Sequence, residues 1–110
     1  MATEVGNPRI LLPPRIARDA VIHVRAQLTH PMFTGMGRDP NGKTIPAYFV
    51  QEVVVSYGDE QVARFEWSSG VSRDPFVDFP LRASKEAPLT IVWKDNKGGV
   101  YRQTADVKFS

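Results

Sequence analysis

Two histidines, no cysteine, and one short run of histidine, proline and methionine bound the chemistry open to this chain. Without a thiol it forms no disulfide, offers no thiolate nucleophile, and can neither ligate zinc through sulfur nor carry a persulfide. His23 falls on the polar side of a strand-like run, and neither histidine accompanies a Gly-x-Ser-x-Gly turn. A catalytic triad needs nucleophile, base and orienting group in one place, so the expectation is a protein that is not an enzyme. Gly35 and Gly37 are spaced like phosphate-loop glycines, but Pro40 takes the third position and no helix follows. Asp95-Asn96 with Gly98 matches a fragment of a calcium loop that lacks its remaining acidic ligands; a hairpin turn explains it better.

His30-Pro31-Met32, followed by Met36, is the sharpest constellation. Imidazole and thioethers suit Cu(I), and Pro31 would stiffen the approach, so a periplasmic copper-binding chaperone using His30, Met32 and Met36 is one reading. In the other, Met32, Phe33 and Met36 are adaptable apolar contacts on a loop, suited to a protein partner. The next strand-like run favours the partner. Phe49, Val53, Val55 and Tyr57 make one side of it apolar, yet Tyr48, Val50 and Val54 make the other side largely apolar too. A strand in a two-layer sandwich has one buried face, so the loop, another subunit or a second copy of the chain should cover the other. The candidate partner-binding residues are therefore Met32, Phe33, Met36, Tyr48, Val50 and Val54. No catalytic residue, metal or cofactor is expected.

The elements that must position these residues are strands. Nine prolines and eight glycines separate short segments that alternate with period two. Arg9–Leu12 comes first, stopped by Pro13-Pro14. In the clearest run, Ala20, Ile22, Val24, Ala26 and Leu28 point one way, and Val21, His23, Arg25, Gln27 and Thr29 the other. A loop from His30 to Ile45 turns at Asp39-Pro40-Asn41-Gly42. Strands are predicted over Ala47–Tyr57, over Gln61–Ser68 and over Pro75–Leu81, the last interrupted by Pro80 and so placed at an edge or bulge. Leu89–Trp93 and Val100–Phe109 form a closing hairpin. Seven short strands and no helix predict an all-β, immunoglobulin-like or fibronectin-like antiparallel sandwich of two sheets. It is read as one domain over 1–110, with 1–8 as a flexible N-terminal tail.

Charge argues against nucleic acid. The net charge is +2; residues 1–45 carry six basic and three acidic side chains, and residues 46–110 eight and nine. No basic cluster interleaved with aromatics stands out. No stretch approaches the roughly 20 apolar residues of a membrane span, and the first residues have neither the basic start nor the apolar run of a secretory signal. A carbohydrate-binding or adhesion sandwich is a further alternative. It would display a row of exposed aromatics, whereas Trp67 and Trp93 fall on expected core faces.

The run Thr29-His30-Pro31-Met32-Phe33-Thr34-Gly35, then Arg38-Asp39-x-x-Gly42-Lys43-x-Ile45-Pro46 and Phe49, is similar to the signature of the SoxZ family. Asp74-Pro75-Phe76-Val77-Asp78-Phe79 resembles that family's Asn-Pro-aromatic strand, with Asp74 in place of the usual Asn. Ile91 to Tyr101 resembles its last hairpin, so the likeness runs from about Arg9 to the C-terminus. The resemblance implies an immunoglobulin-like, non-catalytic subunit of the sulfur carrier complex of thiosulfate oxidation. Such a subunit forms a heterodimer with a SoxY-type protein, whose C-terminal cysteine carries sulfur intermediates between periplasmic enzymes that dock transiently. It further implies a periplasmic location, reached by export with the signal-bearing partner. An uncovered apolar face would also let the chain pair with itself when that partner is absent.

Overall fold

The computed structural model describes residues 5–110; residues 1–4, the first part of the expected tail, lie outside the described residues. β-branched and aromatic residues recur at alternate positions, and this pattern settles as seven antiparallel strands: β1 (Gly6–Leu11), β2 (Val21–Thr29), β3 (Val50–Tyr57), β4 (Glu60–Glu66), β5 (Phe76–Arg82), β6 (Ala87–Asp95) and β7 (Val100–Val107). One sheet has the order β1-β2-β5 and the other β4-β3-β6-β7. The two sheets make the immunoglobulin-like sandwich that the alternation predicts.

The core lies between the sheets. Ile22, Val24, Ala26 and Leu28 of β2, with Val77, Phe79 and Leu81 of β5, face Val53, Val55 and Tyr57 of β3 and Leu89, Ile91 and Trp93 of β6. Trp93 is fully buried, and Trp67 packs half-buried against the same cluster. Pro80 sits on β5, an edge strand, where its missing N–H costs no ladder bond.

Two expectations need correction. Gly6 to Pro8 are not tail: they open β1, and Gly6 pairs with Thr29 and is buried beside the Tyr101 ring. Nor is Val50 on an outer face. The β3–β6 pairing shifts register between Val50 and Glu52, and such an irregularity resets the alternation. Val50 therefore points inward with Val53 and is fully buried.

Candidate functional site

One end of the sandwich is elaborated. Leaving β2, the chain turns at His30, and this corner is clamped to the start of β5. The His30 amide donates to Asp74 Oδ1 at 3.0 Å, and the Asp74 amide donates to the His30 carbonyl at 2.8 Å. Asp74 adopts φ 51°, a left-handed conformation that Asp and Asn tolerate better than most residues.

The segment from Phe33 to Tyr48 is a structured finger. Phe33 and Tyr48 exchange backbone bonds of 2.7 and 3.0 Å, and the Ile45 amide donates to the Gly37 carbonyl at 2.8 Å. At its tip the Asp39 carboxylate accepts from the Asn41 and Lys43 amides, both at 2.9 Å. The closing hairpin pins the base of the finger. Asn96 donates through Nδ2 to the Ala47 carbonyl and accepts at Oδ1 from the Phe49 amide, both at 2.9 Å.

Beneath the finger lies a buried polar cluster. His30 is fully buried, and its Nδ1 accepts from the Met32 amide at 3.1 Å. A neutral ring therefore carries its proton on Nε2. That N–H faces Asp95 Oδ2 at 3.6 Å, too far for a hydrogen bond, and has no other partner among the described residues. Burial, the larger influence, lowers the His30 pKa; the charge of Asp95, and less strongly that of Asp74, pull it back up. Tyr48 lies against the imidazole with ring centroids 4.4 Å apart, and the Lys97 ammonium sits 4.6 Å from the Tyr48 ring centroid.

Asp95 holds this cluster to the hairpin turn. Its Oδ1 accepts from the Lys97 amide at 3.0 Å and the Gly99 amide at 2.7 Å, and its Oδ2 accepts from the Tyr101 hydroxyl at 3.3 Å. Burial, then the neighbouring Tyr48 and Asp95, raise the Tyr101 phenol above its ordinary range. Gly99 is required by close approach: a Cβ there would stand 2.8 Å from the Tyr101 hydroxyl and 2.9 Å from the Asp95 carboxyl carbon.

The candidate residues divide accordingly. Met32 is buried, and its sulfur accepts from the Val50 amide at 3.3 Å. Met32 and Val50 thus form the floor of the finger and not its outer surface. Phe33 and Tyr48 are half-buried at its base, and Met36 is 86% exposed. Val54 is half-buried on the outer face of the larger sheet, opposite Arg64 and Val92. That face is otherwise mainly polar: Arg64 bonds Glu52 at 2.5 Å and Lys94 lies 3.5 Å from the same carboxylate. The second apolar face expected along β3 is therefore small, because Val50 turned inward and Tyr48 lies tilted against His30. His30, Met32 and Met36 do not gather as a copper ligand set; the imidazole and the Met32 sulfur already accept amide protons while Met36 points into solvent. The sequence predicts a hairpin turn over Asp95 to Gly99. The approach of Asp95 to His30 is a tertiary contact, and no local signal in the sequence announces it.

Fold and site together define an immunoglobulin-like module whose elaborated end presents a stiffened finger over a buried polar clamp. Residues 11–106 match the family described as sulphur oxidation protein SoxZ, nearly the whole chain, and the chain belongs to that family. It is thus a sulfur-oxidation protein. No curated protein matches the chain. Among solved structures it is similar to the superoxide reductase (neelaredoxin) from Ignicoccus hospitalis, with a TM-score of 0.71, 16% identity, and 96% of this chain and 82% of that one covered. A superoxide reductase variant from Archaeoglobus fulgidus gives 0.69 at 19% identity, covering 99% and 94%. The sulfur carrier protein SoxY from Chlorobium limicola f thiosulfatophilum gives 0.64 at 20%, covering 94% and 78%. At these identities the likeness is one of fold.

Proposed function

We propose that this chain is the non-catalytic subunit of a sulfur carrier complex, binding a SoxY-type protein whose cysteine carries the intermediates of thiosulfate oxidation. One observation supports this most: a member of a sulfur-oxidation family that holds no cysteine. Covalent sulfur carriage needs a thiolate, so the thiol must belong to a partner and this chain's part is to hold and present it. The finger suits that task, since its backbone is already fixed by hydrogen bonds and little ordering entropy is lost on docking.

Phe33, Met36 and Tyr48 of the finger, with Val54 on the adjoining sheet, are the contacts in this reading, and Met32 and Val50 support them from below. The complex works in the periplasm, where the chain arrives with its signal-bearing partner, and sulfur-oxidising enzymes dock on it transiently. Co-expression with a SoxY-type protein tests the pairing. Size-exclusion chromatography with light scattering should show one 1:1 species at micromolar concentration, and Met36→Ala should weaken it roughly tenfold, about 1.4 kcal/mol. Two separately eluting proteins at that concentration would refute it.

A further inference from the structure

The outward side of the three-stranded sheet carries a depression of about 350 Å³ lined by Arg9, Leu11, Arg25, Gln27 and Phe76. Its geometry follows from strand register. Arg9 pairs with Gln27 and Gln27 with Phe76, so one row crosses all three strands, while Leu11 and Arg25 pair in the next. Leu11 is 63% and Phe76 51% exposed, large apolar side chains left in water beside two guanidiniums.

Both guanidiniums are held in place without being neutralised. Arg9 Nη2 donates to Gln27 Oε1 at 3.0 Å, and Gln27 is itself fixed through Nε2 to the Asp74 carbonyl at 3.0 Å. The Arg25 guanidinium lies 4.6 Å from the Phe76 ring centroid. Among the described residues neither arginine has a carboxylate within 4.0 Å. Asp78, the cross-strand neighbour of Arg25, is turned to His23 Nδ1 at 3.3 Å. Each guanidinium has five N–H donors, and most remain unused.

We propose that this depression binds a sulfur oxyanion: an SO₃⁻ group attached to a second sulfur, either as free thiosulfate or linked through that sulfur to an organic group. Guanidinium forks match the paired oxygens of such anions and bind them more strongly than point charges do. Phe76 and Leu11 offer the apolar side that a polarisable, weakly hydrated sulfur prefers and that sulfate could not use. The choice of occupant rests on the proposed role in thiosulfate oxidation. Every group involved is on this chain, so binding needs no partner.

Titration of the isolated, isotope-labelled chain tests it, following amide chemical shifts with sodium thiosulfate, S-sulfocysteine and sulfate against sodium chloride at equal ionic strength. Saturable shifts centred on Arg9, Leu11, Arg25, Gln27 and Phe76 are expected, with at least one of the two sulfur-linked anions bound several-fold more tightly than sulfate. Tighter thiosulfate binding identifies the free anion as occupant; tighter S-sulfocysteine binding identifies the linked group. Arg25→Ala should weaken binding at least tenfold and Arg25→Lys at least threefold, since lysine keeps the charge but loses the fork. Phe76→Ala should bring the sulfur anions down to the level of sulfate. These side chains lie outside the core, so circular dichroism of the variants should match the parent. Shifts no larger than those in chloride, equal binding of all three anions, or an Arg25→Ala protein that binds as before would overturn the proposal.

Discussion

Replacing Asp95 by alanine should remove about 3–5 kcal/mol of stability, a large share of the roughly 5–15 kcal/mol that holds a domain folded. The carboxylate is 3% exposed and accepts from the Lys97 and Gly99 amides and the Tyr101 hydroxyl, while the His30 N–H faces it. Hydrogen bonds to a charged acceptor each contribute about 1.5–3 kcal/mol net, so three would supply about 4.5–9 kcal/mol, at or above the expected loss. Two effects reduce the total: the turn amides lie near the surface and recover water, and removing a buried charge relieves its own desolvation. The fully buried His30 Nε2–H recovers nothing and loses the carboxylate that faces it. Urea denaturation followed by tryptophan fluorescence gives the number, with Trp93 as the core reporter and the slope unchanged. Asp95→Asn keeps one acceptor for the turn amides and should cost about 1–2 kcal/mol. A loss below about 1 kcal/mol for Asp95→Ala, or equal losses for both variants, would show that the buried carboxylate does not hold the hairpin turn together.

Three other outcomes follow from the same geometry. Gly99→Ala should destabilise by about 1–3 kcal/mol, because the new Cβ must displace the Asp95 carboxylate or the Tyr101 ring; a thermal melt equal to the parent's would contradict the close approach. Met32→Ala should cost about 2–4 kcal/mol through the cavity and the stranded Val50 amide, whereas Met36→Ala should leave the urea midpoint unchanged. Because burial lowers the His30 pKa, the unfolded chain binds more protons than the folded one in mild acid. The His30 contribution is therefore complete above about pH 6.5 and falls below it by up to about 1.4 kcal/mol per pH unit. Urea midpoints of the parent measured between about pH 7.5 and 5.5 should therefore fall as the pH drops; a flat profile would refute the buried neutral imidazole.

Alternation of apolar residues was enough to place all seven strands, and in β2 it named the buried set residue by residue. Pro80 announced an edge for a simple reason: a residue without an N–H survives only where no neighbouring strand needs one. What period-two reading could not see was the irregularity after Val50. A bulge has no composition of its own, and one extra residue is enough to exchange outside for inside. The same blindness made Gly6 to Pro8 look like a tail, since a short Gly- and Pro-containing start carries little strand signal. His30 was visible as unusual but not as buried, because its neighbours Tyr48, Asp74 and Asp95 are brought to it by three different parts of the chain. Met36 could be read correctly as an outward methionine, but its neighbour Met32 could not be told apart from it, since burial there depends on Val50.

In the proposed role this chain holds a partner that carries the sulfur, and covalently carries none of the transferred sulfur itself. Native and denaturing mass spectrometry of the co-purified complex, taken after incubation with thiosulfate and the oxidising enzyme of the system, tests both halves at once. A 1:1 complex in which every added sulfur mass sits on the SoxY-type subunit, with this chain at its unmodified mass, is the predicted spectrum. An adduct on this chain, or the two proteins flying apart with no complex at micromolar concentration, would contradict it.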